Sequence, residues 1–355
     1  MPTSTNQFFF LEHYLRLVTR KPESWLSALQ VLTGSPRLAQ EVSTDSGQGD
    51  FNARLAFFST RNISLCGVYL DSASKLVGVN ADTTAIFMPL QGTAEFVVNG
   101  QPFFCSPGVP FVLEPNVEFR ADLSPIAHLF IIQIACPESS ESGVAFQNGD
   151  RELAKIVERY LAATPFFRDY EHAVRRALSL ERALVSHRKG GDSNAPGLGP
   201  KPLVGDDDRR LCRALHMIND GLEVDIDLAS IARDSGLSLR NLYYLMKKYT
   251  RMTPHGFCRS RRLIKVRESM ICNYAEDPVV ANHALKWGFN HLGRFSSYYQ
   301  QHFGEYPSET IKHLKDLIKS SDDVLSVKPH PMLPQAAWYT SQYQPPEMKS
   351  CASPQ

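Results

Sequence analysis

Four side chains able to bind a polyanion share one face of a predicted helix. Arg240, Tyr243, Tyr244 and Lys247 are spaced at i, i+3, i+4 and i+7, which aligns residues along one side of an α-helix. Arg can donate two hydrogen bonds to one planar acceptor, Lys supplies a point charge, and Tyr offers a ring and a hydroxyl. A solvated helix face accounts for the two cations but poorly for two large tyrosines. The pattern therefore indicates a helix that contacts a partner.

The residues before this face have the pattern of a helix-turn-helix unit. Asp227 is placed to cap a first helix, Gly236 allows a tight turn, Leu237 fills the space beneath the turn, and Ser238 caps the second helix. The same order of glycine, large apolar residue, cap and helix starts again at Gly288. The sequence therefore predicts two helix-turn-helix units.

In the second unit, Asp277 or Pro278 is predicted to start the first helix, and Asn290 or His291 to cap the second. The first helix is predicted to run through Val280, Ala284 and Leu285, and Phe289 to fill the space beneath the turn. Phe295, Tyr299 and Phe303 are predicted to pack inward from the second helix. The residues predicted to lie nearer the outside are His291, Arg294, Ser296, Ser297 and Gln300. This second outward face has the features of a recognition helix.

A long helix is predicted between the units, from His255 to Tyr274. Its twenty residues span about 30 Å, close to the roughly 34 Å between successive major grooves on one DNA face. From Arg233 to Arg294 the chain has twelve Lys or Arg and four Asp or Glu, although its total charge is only +1. Such local charge is typical of phosphate binding, to which helix N-termini also contribute backbone N–H groups. The predicted phosphate contacts are Ser238, Lys247, Arg261, Arg262, Lys265 and His291.

Three stretches of this region resemble the AraC/XylS family of transcription regulators: LASIARDSGLSLRNLYYLMKK, TPHGFCRSRRL and ALKWGFNHLGRFSSYYQQHFGEYPSETI. The resemblance implies an activator that binds two adjacent major grooves of promoter DNA per monomer, acts with RNA polymerase and responds to a small metabolite. It assigns base contacts to Arg240, Tyr243, Tyr244, Arg294, Ser296 and Ser297. Two departures stand out: two tyrosines occupy positions 243 and 244, where polar or cationic residues are common, and Gly293 leaves one contact position without a side chain.

The N-terminal half has a different periodicity. Residues of roughly 7 to 40 have helical spacing, whereas residues 51–137 alternate with period two and include a hairpin turn at Asn99-Gly100. About seven short strands are expected, and helices follow at about 152–186. The predicted fold class is α+β with two domains. The strand spacing indicates a small antiparallel barrel or sandwich, and the family resemblance implies that it is a cupin-like β-barrel with flanking helices. This unit precedes an all-α domain of two helix-turn-helix units joined by a long helix.

The barrel lacks the residues of a metalloenzyme. Its only histidine is His128, so a three-histidine metal site within it is excluded, and no nucleophile, phosphate-loop or dinucleotide motif occurs in the chain. We therefore expect no enzyme activity, no metal and no cofactor. A small organic effector is the expected ligand, with Ile86, Phe87, Phe96, Val98, Phe111 and Phe130 as candidate lining residues, although core packing alone could explain these side chains.

Composition sets the remaining expectations. The seven cysteines are scattered without a C-x-x-C pair, and no membrane span or signal peptide is recognisable, so a cytoplasmic protein is expected. The predicted organisation is a sensing and dimerisation domain at 1–190, a linker at 191–206, a DNA-binding domain at 211–313 and a disordered tail at 320–355. A homodimer is expected, held by residues 152–186 through a second apolar face at Leu178, Leu180 and Leu184. The alternative is that both helical stripes cover the barrel of the same chain.

The sequence is compatible with three functional hypotheses. The leading one is a sequence-specific transcription regulator, most simply an activator, that responds to a small effector. A constitutive architectural DNA-binding protein is the second, and a cupin-type enzyme joined to a DNA-binding domain is the third. The effector and the operator are not encoded in any recognisable motif.

Overall fold

The computed structural model describes residues 11–41, 51–135, 147–190, 206–223 and 226–324. The predicted linker at 191–206 lies outside these ranges except for its last residue, and the predicted tail lies outside them from residue 325 onward. Among the described residues, no helix combines the length and apolar character that crossing a membrane requires.

Eleven strands lie in the described part of the N-terminal half. They are β1 (Leu15–Thr19), β2 (Ala39–Glu41), β3 (Ala53–Ser59), β4 (Ile63–Leu70), β5 (Ser74–Val79), β6 (Thr83–Gln91), β7 (Ala94–Val98), β8 (Gln101–Cys105), β9 (Phe111–Leu113), β10 (Glu118–Leu123) and β11 (Ala127–Ala135). They form a six-stranded sheet in the order β1-β3-β4-β11-β6-β9 and a five-stranded sheet in the order β2-β5-β10-β7-β8. Asn99 and Gly100 both have positive φ between β7 and β8, as the predicted hairpin turn requires.

Strand β11 shows how alternation builds two cores. Leu129 and Ile131 point into the space between the two sheets, whereas Phe130 and Ile132 point to the opposite face of the larger sheet. That opposite face is covered by helices, which explains why nearly every β11 residue is buried.

Two helices cover this outer face: α2 (Arg151–Ala163) and α3 (Tyr170–Arg188). Leu180 and Leu184 of α3 are fully buried in the same core as Phe130 and Ile132, whereas Leu178 is 39% exposed. The apolar face predicted to hold a dimer is therefore mostly used to cover the sheet of the same chain. The alternative prediction, that both helical stripes cover the barrel of the same chain, describes most of this face.

The N-terminal segment is only partly helical, so the prediction of one helical region from about 7 to 40 was wrong. Its helix is α1 (Pro22–Thr33), and the preceding Leu15–Thr19 forms β1 on the edge of the larger sheet. Leu15 and Leu17 are both buried, and residues two apart share one face of a strand but lie on opposite sides of a helix, so this pair competes with the helical spacing of Leu11, Tyr14 and Leu15. Pairing with β3 decides between the two.

The C-terminal half is helical. Its helices are α4 (Asp206–Asp220), α5 (Leu228–Asp234), α6 (Leu239–Thr250), α7 (Pro254–Cys272), α8 (Val280–Lys286), α9 (Leu292–Phe303) and α10 (Pro307–Val324). α4, α5 and α6 enclose one core with the start of α7, and the rest of α7 encloses another with α8 and α9. The predicted α+β organisation, with two helix-turn-helix units joined by a long helix, is confirmed.

The last helix joins the two halves. α10 continues to Val324, so the predicted start of the tail at 320 falls inside a helix. Leu314 and Leu317 of α10 are buried in the same core as Trp25 and Leu29 of α1. The C-terminal half therefore shares part of its hydrophobic core with the N-terminal half.

Candidate nucleic-acid interface

The first helix-turn-helix forms from strong local signals. The Oδ1 atom of Asp227 accepts hydrogen bonds from the backbone N–H of Ala229 and Ser230 at 2.9 and 3.2 Å, which starts α5. Gly236 makes the turn with φ +77°, where a Cβ is disfavoured, and Ser238 then caps α6 through its hydroxyl. These contacts set the direction in which α6 leaves the core.

Helix α6 has a buried and an exposed face. Leu242, Leu245 and Met246 are buried against α4 and α5. On the opposite face Arg240 and Lys247 are exposed, Tyr244 is 61% exposed, and Tyr243 is half-buried beside the ring of His255. The structure therefore brings the predicted first contact set, Arg240, Tyr243, Tyr244 and Lys247, together on one accessible face.

The second unit repeats this arrangement with different caps. Gly288 makes the turn with φ +82° and Phe289 packs beneath it. His291 occupies the cap position of α9, but its side chain makes no capping hydrogen bond. α8 begins at Val280, after Asp277 has accepted hydrogen bonds from Val279 N–H and the Asn282 amide.

The outward face of α9 is polar. Phe295 and Tyr299 are buried, Arg294 and Ser297 are exposed, and Ser296 is half-buried. Gly293 is exposed with open space around it, so the first turn of this helix presents Arg294 without a neighbouring side chain at 293. Leu285 of α8 is 50% exposed, and the buried residues of this short helix are His283 and Ala284.

One arginine packs against each turn: Arg210 at Gly236 and Arg262 at Gly288. Arg210 was not predicted from the sequence. Arg210 of α4 donates from Nη1 to the carbonyl of Gly236 at 3.3 Å. Arg262 of α7 lies against Gly288 and also donates from Nε to the carbonyl of Leu222 at 3.1 Å. Arg262 thus ties the second turn to the first unit. Its predicted phosphate contact would have to come from a half-buried side chain.

The predicted phosphate contact at Arg261 is corrected by the structure. Arg261 is only 1% exposed, because its guanidinium binds the carboxylate of Glu12, with Nη2 to Oε2 at 3.0 Å, and Nε donates to Asn219 at 2.9 Å. The side chain points into the junction between the halves of the chain. In this arrangement Arg261 cannot reach a phosphate.

Lys265, another predicted phosphate contact, also lies at the junction between the halves. Its Nζ lies 2.9 Å from Glu268, which also accepts a hydrogen bond from Arg54 of β3 at 2.9 Å. Burial raises the pKa of Glu268, but Lys265 and Arg54 lower it more, so the net pKa is below the ordinary value. Lys265 is therefore paired with a carboxylate that faces the N-terminal half.

A buried ion-pair cluster around Glu305 was also not predicted from the sequence. Glu305, just before α10, binds Arg16 of β1 at 3.0 Å and Arg267 of α7 at 2.7 Å. Burial raises the pKa of Glu305, but the two guanidinium groups outweigh it and hold the pKa well below its usual range. Arg267 is fully buried and donates from Nε to the carbonyl of Leu15. No local pattern signals a contact between residues so far apart in sequence.

The predicted effector-lining residues divide between two faces. Phe87, Phe96 and Phe111 lie between the sheets with Val98, whereas Ile86 and Phe130 face α2 and α3 and are excluded from the lining. The space between the sheets contains a cavity of about 40 Å³, much smaller than the roughly 150 Å³ that holds benzene.

Two side-chain amides around this cavity have partners, whereas the buried indole N–H of Trp25 has none among the described residues. The amide of Asn80 donates to three carbonyls, those of Thr83, Leu113 and Glu114, and the amide of Gln133 donates to the carbonyl of Thr33. The interior between the sheets is therefore close-packed in this conformation.

Metal-binding groups are sparse. Within the described ranges, no three His, Cys, Asp or Glu side chains come together as a metal site needs. His128 is buried beside Tyr69, and burial lowers the pKa of its imidazole to about 4.

Comparisons with known proteins match the C-terminal, helical half of the chain. A sequence family described as a helix-turn-helix domain matches residues 231–313. The XylDLEGF operon transcriptional activator 2 of Pseudomonas putida is 34% identical over 115 residues, which are 32% of this chain and 73% of that protein. Another XylDLEGF operon transcriptional activator of Pseudomonas putida is 35% identical over 103 residues, which are 29% of this chain.

The extent of these matches is limited. The match covers 32% of the length of the latter relative, so the chain spans about a third of it. Among solved structures, that of the AraC-like transcriptional activator CuxR aligns with 72% of this chain and 96% of its own chain, at 15% identity and a TM-score of 0.37.

Proposed function

Because the chain belongs to the AraC/XylS family and carries its DNA-binding helix-turn-helix region, it is a transcription regulator, and we propose that it binds promoter DNA through α6 and α9. The observation that supports this best is that each helix-turn-helix unit presents one exposed polar helix face and that α7 joins the two units. α7 has 19 residues and is about 28 Å long, the length scale of the spacing between successive major grooves.

The proposed base contacts keep the two predicted sets. Arg240 donates to a guanine edge, and Tyr243 and Tyr244 lie against thymine methyl groups in one groove. Arg294, Ser296 and Ser297 read the neighbouring groove, where Gly293 permits close approach of the backbone.

The proposed phosphate contacts change because of the structure. Lys247 is exposed beside the first recognition face, and the starts of α6 and α9 at Ser238 and His291 present backbone N–H groups. Arg262 stays in the set. Arg261 and Lys265 leave it, since both are paired with carboxylates at the junction between the halves.

We further propose that a small organic effector acts on the sensor half, without metal or cofactor. The cavity between the sheets is lined by Trp25 and Leu29 of α1, and α1 packs on α10 of the DNA-binding half. An effector that enlarges this cavity would displace α1, and α10, which packs on α1, would then change its position. Such a step requires opening, because only about 40 Å³ is now empty.

The small cavity also favours a second function. A sensor half whose interior is already filled would suit an architectural DNA-binding protein that acts without any effector. The two proposals differ in whether affinity for DNA changes with metabolites.

Partners and location complete the proposal. The protein works in the cytoplasm, contacts RNA polymerase at promoters, activates transcription and forms a homodimer. Leu178 and Val185 of α3, 39% and 38% exposed, are the apolar residues left on that helix for a second copy. Because they form a much smaller face than the sequence predicted, other surfaces must contribute to any stable dimer.

The test is in vitro selection of bound genomic fragments by the purified full-length protein, followed by footprinting. We expect two protected patches on one DNA face, about one helical turn apart. The matched control is a protein with both Arg240→Ala and Arg294→Ala, which should select no common sequence. Equal selection by this variant, or no protected patches, would contradict the proposal. Repeating the selection with metabolite extracts separates effector-dependent from architectural binding.

A further inference from the structure

A second and larger cavity lies at the junction between the two halves of the chain, away from the sheets. It has a volume of about 160 Å³ and is open on one side. Its walls come from the segment before α3, from the start of α7 and from the last two turns of α9. The volume is similar to the roughly 150 Å³ that accommodates a benzene molecule in another protein. The cavity is therefore large enough for a small organic molecule.

Two arginines from different halves line this cavity. Arg168 precedes α3 and Arg259 lies on α7; both are exposed, and neither has an ion pair within the described part of the chain. Arg259 lies over the ring of Tyr298, with its Cζ 4.5 Å from the ring centroid. None of the lining residues is Asp or Glu. The cavity is thus a cationic site without a carboxylate of its own.

The polar groups behind the arginines are fixed and uncharged. Nδ1 of His302 donates to the carbonyl of Arg168 at 3.1 Å, and its Nε2 lies 3.3 Å from the hydroxyl of Ser260. Burial, as the largest cause, lowers the pKa of His302 to about 4. This histidine is therefore neutral near pH 7 and adds donors and acceptors rather than charge.

Two further features define the shape of the site. Thr253 and Gly256 place the first turn of α7 against the cavity, and the start of a helix carries a partial positive charge. Met252 and Leu263 supply apolar wall. A ligand that matches both features has a negative group and a short hydrocarbon part.

We propose that this cavity binds a small organic carboxylate, whose negative group bridges Arg168 and Arg259 and whose apolar part rests on Met252 and Leu263. Guanidinium groups bind carboxylates through paired hydrogen bonds, and an uncompensated pair of them favours an anion. Because Arg168 belongs to the sensor half and Arg259 to the DNA-binding half, the bound carboxylate holds the two halves together. This site is separate from the cavity between the sheets and goes beyond the effector action proposed above.

The experiment uses the full-length protein without DNA, so its outcome is independent of the proposed function. Thermal unfolding and titration calorimetry are followed with valerate, succinate or inorganic phosphate at millimolar concentration, against chloride at equal ionic strength. We expect saturable binding of valerate or succinate and a matching rise in Tm, since a ligand of the folded state stabilises it. The variants Arg168→Gln and Arg259→Gln should each weaken binding at least tenfold, and the control Arg233→Gln, an exposed arginine on α5, should not.

Three results would overturn the proposal: no saturable binding of either carboxylate, unchanged binding in both arginine variants, or binding of phosphate alone. A further measurement tests whether Arg259 contacts DNA rather than a carboxylate. If Arg259→Gln lowers the salt dependence of binding to a random duplex while carboxylate binding is unchanged, the arginine serves DNA phosphate instead and the inference fails.

Discussion

Arg16 and Glu305 form a buried ion pair between the two halves of the chain, with Nη1 of Arg16 3.0 Å from each carboxylate oxygen. The two residues are 9% and 8% exposed, and Glu305 also binds Arg267, Thr310 and His313. A carboxylate with so many donors fixes the start of α10 against β1. The pair is therefore a structural link between the N-terminal and C-terminal halves of the chain.

Removal of Arg16 should weaken this link strongly. Arg16→Ala leaves the buried charge of Glu305 with fewer partners, and breaking a buried pair of this kind costs about 3 kcal/mol in the free energy of unfolding. Urea unfolding of the full chain measures the loss. The matched control is Arg54→Ala, whose pair with Glu268 is less buried, with side chains 33% and 22% exposed, and Lys265 still pairs with Glu268 in this variant, so the loss should be smaller than for Arg16→Ala. Equal losses in the two variants would show that burial of the pair is unimportant.

A close contact at Gly304 offers a second test of how the halves are joined. Gly304 ends α9 with φ +77°, and a Cβ there would lie 2.6 Å from the ring of Tyr170 on α3. Gly304→Ala should therefore separate α3 from α9 and increase the rate at which a protease cuts between the halves. Gly236→Ala is the control, because Gly236 has the same φ but only the flexible side chain of Arg210 nearby, at 3.3 Å. Similar cleavage of both variants would reduce the effect to backbone strain.

Much of the helical half could be predicted because its signals are local. Asp227, Gly236 and Ser238 determine caps and a turn within a few residues, and the second unit repeats their order from Gly288. Contacts over long distances in sequence could not be predicted. Arg261 reads as a surface cation on a basic helix, and only its contact with Glu12, 249 positions away, buries it.

The N-terminal half shows the same limit. Alternation correctly predicted a β-rich unit, but it did not determine which face of each strand looks inward. Phe87 and Phe130 both looked like lining residues, yet they lie on opposite sides of the larger sheet. The partner of a face, here α3 with Leu180 and Leu184, has to be known before that face can be assigned.

The buried imidazole of His302 should make stability depend on pH. Burial lowers its pKa to about 4 in the folded chain, against an ordinary value of 6.5, so the unfolded chain binds more protons between these values. The effect of this group on the free energy of unfolding is absent above pH 6.5. As the pH drops toward 4, the free energy of unfolding falls by about 3 kcal/mol because of this group. Unfolding of His302→Gln should lose correspondingly less over this range, whereas the exposed His255→Gln should follow the wild type. An identical pH profile for all three proteins would contradict the assignment.

Arg240 is expected to read a base. Its exposed position in the first turn of α6 suits a bidentate contact with guanine, so Arg240→Ala should weaken binding to the selected site by about 1–3 kcal/mol and relax preference at one base pair. Competition binding with single-base variants of the site measures both effects. Arg233→Ala removes an exposed arginine from α5 and should change neither. If Arg240→Ala lowers affinity equally for selected and random DNA, Arg240 contacts phosphate.

The salt dependence of DNA binding distinguishes the two lysines at positions 247 and 265. Lys247 is exposed beside the recognition face, so Lys247→Ala should reduce the slope of log K against log salt by about 0.9, the value for one phosphate contact. Lys265 is paired with Glu268 at 2.9 Å on the side of α7 that meets the N-terminal half, so Lys265→Ala should leave the slope unchanged. Both variants remove one positive charge, which makes net charge an equal influence on each. A reduced slope for Lys265→Ala would mean that the halves separate on DNA and release this helix for phosphate binding.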